Sequence, residues 1–273
     1  MKKNILITGS TDGIGKLAAL ILAKRGHQLY LHGRNAAKLE ATLAEIRNQA
    51  NTDTVLGFVA DFSNLKEVRK FADTIAAEVP KLDVVINNAG VFKSSILKND
   101  LGLDLRFTVN YLAPYLLTKY TLPVLKKAAA PRIINLSSAA QASVSLEALI
   151  GEENLSVQEA YAQSKLALTQ WSFDLAKNEK DISVIAVNPG SLLNTKMVQE
   201  AYGHHWSSAA KGANILVDLA VADEFEGKSG LYFDNDKGDP RGVFAEAHPD
   251  AYDTKKIKAL IETTNGLEAS LFN

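Results

Sequence analysis

Thr8-Gly9-Ser10-Thr11-Asp12-Gly13-Ile14-Gly15 lies between two apolar runs, Ile5-Leu6-Ile7 and Leu17-Ala18-Ala19-Leu20-Ile21-Leu22-Ala23. The first has the composition of a strand and the second that of a buried helix, so the eight residues read as a strand-to-helix turn. Glycines at 9, 13 and 15 let the backbone turn tightly and lie close to a pyrophosphate, whose charge meets the free N–H groups and positive dipole of the helix N-terminus. The spacing TGxxxGxG is wider than GxGxxG, and a plain capped turn is the alternative. The flanking strand and helix favour dinucleotide binding.

Composition narrows the class. A chain of 273 residues with 47% hydrophobic residues and a net charge of −1 is ample for a buried core and has no basic excess to attract nucleic acid or an anionic membrane. It has no cysteine, which excludes disulfides, thiolate ligands and a cysteine nucleophile. The first apolar run is too short for a signal peptide or a membrane span, so a cytoplasmic location is expected.

Outward from the turn, strands and helices alternate. Strands are expected at 28–32, 54–60, 82–86, 132–136, 182–188 and 230–233, with helices at about 36–50, 65–78, 99–127, 156–177 and 208–222. That rhythm implies right-handed βαβ crossovers and one α/β domain, a Rossmann-type parallel sheet covered on both faces. No linker or repeat divides it. From about 234 the chain reads as a C-terminal tail with a helix near 253–263.

The second strand ends in Gly33-Arg34-Asn35, where an acidic residue would hold the ribose hydroxyls of NAD. A guanidinium there suits the 2′-phosphate of NADP, so NADP is expected over NAD, although Asp12 would place a carboxylate near that phosphate. Asp61, followed by Phe62, either accepts from the adenine amino group or caps the helix starting near Asn64. Asn87-Asn88-Ala89-Gly90 ends the fourth strand, where small residues suit a passing cofactor. Asn110 is a poor helix former inside an apolar stretch, so its amide is a candidate for a specific role.

YxxxK occurs three times, as Tyr115/Lys119, Tyr161/Lys165 and Tyr252/Lys256. Only Tyr161/Lys165 falls between the strand that delivers Ser137-Ser138 and the strand stopped by Pro189-Gly190; the other two read as solvated or packing pairs. A phenol is a weak acid–base at neutral pH, and a nearby ammonium stabilises its phenolate. Tyr161 can then exchange a proton with an alcohol or carbonyl while the Ser138 hydroxyl holds the reacting oxygen, and Asn110 can hold a water that links Lys165 to solvent.

Thr8-Gly9-x-x-x-Gly13-x-Gly15, Asn87-Asn88-Ala89-Gly90, Asn110, Ser138, Tyr161-x-x-x-Lys165 and Asn188-Pro189-Gly190, in that order, resemble the short-chain dehydrogenase/reductase family over about residues 5–200. The resemblance implies seven parallel strands, hydride transfer with NAD(P), and a catalytic tetrad at Asn110, Ser138, Tyr161 and Lys165. It implies a cofactor lying along Gly9, Ser10, Thr11, Asp12, Gly13, Ile14 and Gly15, then Gly33, Arg34, Asn35, Asp61 and Phe62. At the nicotinamide end it would meet Asn88, Ala89, Gly90, Tyr161, Lys165, Pro189 and Gly190, with Asn194 or Thr195 contacting it. Homodimers or homotetramers packed through the helices around the tetrad are the family's assemblies, although apolar helix faces can equally be core.

The stretch between Ser138 and Tyr161 is longer than in the commonest members and is similar to retinol-dehydrogenase-like and related carbonyl reductases. A lid over about 191–212, with Leu192, Leu193, Met197, Tyr202, His204, His205 and Trp206, favours a small-to-medium lipophilic carbonyl or alcohol. The adjacent histidines have no cysteine partners, and no metal is expected. Two other functions remain open: a catalytically silent NADP-binding sensor, and a sugar-nucleotide epimerase or dehydratase.

Overall fold

The computed structural model describes residues 1–205, 207–238 and 240–272, and within these the side chains of Ala201 and Tyr202 are excepted; the lid candidates Tyr202 (its side chain) and Trp206 therefore lie outside the described residues. β1 (Asn4–Ile7) leads through the glycine turn into α1 (Gly13–Lys24), and β2 (Gln28–Gly33) into α2 (Ala36–Ala50). β3 (Val55–Val59), α3 (Leu65–Glu78) and β4 (Val84–Asn87) follow. Each of these helices starts where a side chain takes up an orphan N–H: Asp12 caps α1, Asn35 caps α2 and Asn64 caps α3. The cap of α3 is thus Asn64 and not Asp61, whose Oδ1 accepts from Ser63 N–H at 2.9 Å.

The next crossover is one broken helix: α4 (Leu105–Phe107), a π-helical turn at Thr108–Leu112, and α5 (Ala113–Leu125). β5 (Arg132–Leu136), a short α6 (Leu146–Leu149) in the long insert and α7 (Val157–Asn178) come next. α7 opens with a capping box, Ser156 and Glu159 each accepting from the other's N–H. β6 (Ser183–Asn188), α8 (Lys196–Tyr202), α9 (Ala209–Val221), β7 (Leu231–Asp234), β8 (Val243–Ala245) and α10 (Thr254–Phe272) complete the order.

The sheet runs β3-β2-β1-β4-β5-β6-β7-β8, parallel throughout except for β8, which pairs antiparallel with β7. The alternation of side chains across the pleat builds two cores. Leu6, Val85, Ile133 and Val184 face α3, α5 and α7, while Ile5, Ile7, Ile86, Ile134 and Ile185 face α1, α2 and α9. Strand order reverses between β1 and β4, the switch point where such sheets leave a crevice at their carboxyl ends.

Two expectations change. The seven expected parallel strands gain an eighth, because Phe244 of β8 packs edge-on against Phe233 at 5.2 Å. The tail helix, expected near 253–263, runs on to Phe272. Tertiary bonds hold the added turns: Tyr111 and Thr264 share a hydroxyl bond at 2.7 Å, Tyr115 donates to Asn265 Oδ1 at 2.6 Å, and Tyr120 and Lys119 both reach Glu268 at 2.5 Å. The apolar helix surface beside the tetrad is therefore covered by the chain's own C-terminal helix.

Candidate active site

The glycine turn is shaped first by protein packing. Gly9 has φ +63°, and a Cβ there would stand 2.7 Å from Ala89 Cα; a Cβ on Gly15 would stand 2.7 Å from Gly9 O and run into Asn88 Nδ2. These two positions let the β1 and β4 turns interlock. Asn88 Nδ2 donates to Thr8 O at 2.8 Å and Gly9 O at 2.9 Å, and Thr8 Oγ1 accepts from the N–H groups of Asn88 and Ala89. The N–H groups of Ile14 and Gly15 find no acceptor among the described residues. A phosphate at this helix N-terminus would meet two ready donors and the positive end of α1.

Several of the expected contact residues have side chains engaged within the protein. Ser10 is fully buried, and its hydroxyl bonds His32 O and His32 N–H at 3.1 and 3.0 Å, so its side chain is not offered to a ligand. Phe62, 4% exposed, stacks on His32 at 4.0 Å inside the core and can present only its backbone. Asn35 Oδ1 is committed to Lys38 N–H as the α2 cap. Asp12 both caps α1 and pairs with Lys38 Nζ at 2.6 Å, an exposed bridge that holds its carboxyl below the usual range. Lys38 therefore offsets the carboxylate that argued against a 2′-phosphate. Arg34 is exposed, and no hydrogen-bond or ion-pair partner for it is found among the described residues.

At the other end of the crevice, β5 and α7 are stitched together. Ser137 Oγ bonds Lys165 O at 3.1 Å and Thr169 Oγ1 at 2.7 Å, and Lys165 Nζ donates to Leu136 O at 2.6 Å. This places Lys165, 5% exposed, against the end of β5 with its Nζ 5.6 Å from the centre of the Tyr161 ring. Burial pushes its pKa down to about 7. Oxygen acceptors set beside the amine would favour its charged form again. Tyr161 is half-buried, its ring meeting that of Phe92 edge-on at 4.8 Å. Ser138 Oγ accepts from Ala140 N–H at 3.1 Å, leaving its own proton to donate.

Asn110 sits in the π-helical turn, a distortion that recurs at functional sites. Its Oδ1 accepts from Val91 N–H at 2.8 Å, and its Nδ2 donates to Val91 O and Ser164 Oγ, both at 3.0 Å. Ser164 in turn donates to Tyr161 O at 2.7 Å. The Asn110 side chain thus clamps the loop after β4 to the tyrosine's helix. The rival pairs sit elsewhere: Tyr115 and Lys119 hold α10, and Lys256 pairs with Asp250 at 2.6 Å.

The short chain dehydrogenase profile matches residues 3–205. This chain belongs to the short chain dehydrogenase family. Retinol dehydrogenase 12 of Mus musculus is 34% identical over 247 residues, covering 86% of this chain and 78% of the relative. A short chain dehydrogenase from Shigella flexneri, solved in complex with NADP, is 28% identical with a TM-score of 0.69, covering 85% of this chain and 96% of its own. A protein from Mycobacterium paratuberculosis gives a TM-score of 0.80 at 25% identity over 97% of this chain and 92% of its own.

The short chain dehydrogenase is thus an oxidoreductase acting on CH–OH groups of small molecules with a nicotinamide cofactor. The stretch expected to form a lid is mixed in character. Leu193 is 3% exposed and belongs to the core, whereas Met197 Cε reaches to 3.8 Å from where a Cβ on Gly90 would stand. Thr195 caps α8 with its methyl 3.5 Å from the same point on Gly13, while Asn194 is exposed. His204 and His205 are exposed, and among the described residues no group of three or more His, Asp or Glu could hold a metal. No described helix is long and apolar enough to cross a membrane. Sequence reasoning missed Lys38, Ser164 and His32, whose partners lie far along the chain; a lysine four residues after Arg34 was the one local signal.

Proposed function

We propose that the enzyme is an NADP-dependent reductase or dehydrogenase that interconverts a lipophilic alcohol with its aldehyde or ketone. The observation that carries this reading is Lys165, bonded to the end of β5 two residues before Ser138, with its Nζ 5.6 Å from the Tyr161 ring centre. A nicotinamide cofactor, when bound, would supply or take up the hydride. Tyr161 gives its phenolic proton to the carbonyl oxygen in reduction and takes one from the alcohol in oxidation; Ser138 donates to that oxygen and holds it. Lys165 lowers the cost of the phenolate, and Asn110, through Ser164 and Val91, keeps Tyr161 and the β4 loop in register.

Residues 191–212 act as the lid, with Thr195 against the glycine turn and Met197 over Gly90. Phe92 and Met197 give the reacting end an apolar border, which supports a lipophilic substrate, and the likeness to a retinol dehydrogenase points to alcohol–aldehyde chemistry. The test is consumption of NADPH and of NADH by the purified protein across aldehydes, ketones and quinones.

Arg34 and Lys38 select NADP. Arg34 would supply a charge-assisted contact to a 2′-phosphate and Lys38 would offset the Asp12 carboxylate beside it, so Arg34→Ala and Lys38→Ala are expected to raise KM for NADPH about 10- to 100-fold while leaving KM for NADH near its starting value. Steady-state kinetics with both cofactors check this. An unchanged ratio of NADPH to NADH preference in both variants would remove the assignment.

A further inference from the structure

We propose that His32 is a positioning residue for the dinucleotide, a neutral imidazole that fixes the glycine turn against the adenine-side strand end. The inference rests on the nicotinamide-cofactor reading above. His32 is the penultimate residue of β2, two residues before Arg34, and is 3% exposed. Its Nδ1 accepts from Gly9 N–H at 3.1 Å and its Nε2 lies 2.9 Å from Ala60 O. A carbonyl oxygen only accepts and a backbone N–H only donates, so Nε2 carries the ring proton and Nδ1 carries none.

The same residue holds the turn through its backbone. Ser10 N–H donates to His32 O at 3.0 Å, and the Ser10 hydroxyl bonds both His32 O and His32 N–H. The ring is locked by stacking on Phe62 at 4.0 Å, with Phe71 at 5.2 Å. One side chain therefore ties together the three segments proposed to meet the cofactor: the glycine turn, the strand end that presents Arg34, and Ala60-Asp61 on β3's side. An apolar residue would fill the space but leave the half-buried Gly9 N–H without this acceptor.

A second proton on the ring would set a donor against Gly9 N–H, so the bridge requires the neutral form. Burial keeps it so, pushing the imidazole down to about 4. The bonds and ring contacts described for the bridge include neither Tyr161 nor Lys165. Its loss should therefore appear in cofactor affinity and spare the chemical step.

The experiment measures NADPH affinity by titration, steady-state kinetics and thermal melting for wild type, His32→Phe, His32→Asn and His32→Gln. Phe keeps the stack and loses both bonds; Asn keeps an acceptor near Nδ1, and Gln keeps a donor near Nε2. His32→Phe is expected to weaken NADPH binding about tenfold or more with kcat at saturating NADPH within about twofold of wild type, and Asn to bind more tightly than Gln. Unchanged affinity in His32→Phe, or a fall in kcat without a change in affinity, overturns the proposal. Should His32→Phe fail to fold, Asn and Gln decide: equal NADPH affinity in the two overturns it. A wild-type protein that binds neither NADPH nor NADH would instead remove the cofactor reading itself, and this inference with it.

Discussion

Tyr161→Phe is expected to lower kcat/KM by about 10³-fold while leaving NADPH affinity within about threefold of wild type. The substitution removes one oxygen and keeps the ring, so the edge-on contact with Phe92 at 4.8 Å survives. What disappears is the group that exchanges a proton with the substrate oxygen. Tyr115→Phe and Tyr252→Phe are the matching controls, since both tyrosines carry the same YxxxK spacing. Tyr115 donates to Asn265 and the Tyr252 hydroxyl accepts from Ala247 N–H, so these variants should lose about 1 kcal/mol of stability each and keep their turnover. Turnover in Tyr161→Phe above about a tenth of wild type would defeat the acid–base assignment.

How much of this was legible in the sequence depends on whether a residue's role is set by near or distant neighbours. The parallel sheet was legible because each strand is a short apolar run and each helix carries its own start signal, as with Asn35, Asn64 and Ser156. The eighth strand was not, because three residues are too few to show alternation and Val243-Phe244-Ala245 finds its place only against Phe233. The end of α10 failed for a related reason: Thr264, Asn265 and Glu268 are held by tyrosines and a lysine about 150 positions earlier.

The candidate site divides along the same line. Ser138, Tyr161 and Lys165 were readable as chemistry because their types and order say what they can do. Ser10 in the turn and Phe62 after β3 have side chains that face inward, which only the folded chain shows. Lys38 changes the meaning of Asp12 from across a helix, and His32 changes the meaning of Gly9 from across a strand. The glycines themselves serve two needs at once, since the interlock with Asn88 and Ala89 requires them whether or not a phosphate is bound.

Lys165→Met should separate function from stability by moving them in opposite directions. Removing the ammonium beside Tyr161 is expected to cost about 10²-fold or more in kcat/KM. The folded protein, however, should resist denaturation better at low pH. Lys165 has a pKa of 10.5 in the open chain and about 7 in the folded one, so between these values the unfolded state holds a proton that the folded site has released. Wild-type stability therefore rises with pH across that window. Below pH 7 both states are protonated, and the full cost of the buried charge remains, on the order of a few kcal/mol at about 1.4 kcal/mol per pKa unit. The variant has no such group, and its loss of the bond to Leu136 O is the same at every pH. The stability difference between variant and wild type should then be greatest near about pH 6 and shrink toward about pH 9.5, as read from urea denaturation at both. Curves that run parallel across that range would mean that the amine is not desolvated in the folded protein. A gain in stability that fades with rising pH, joined to lost turnover, is what a lysine kept at a cost for its charge requires, and a lysine kept for packing cannot produce it.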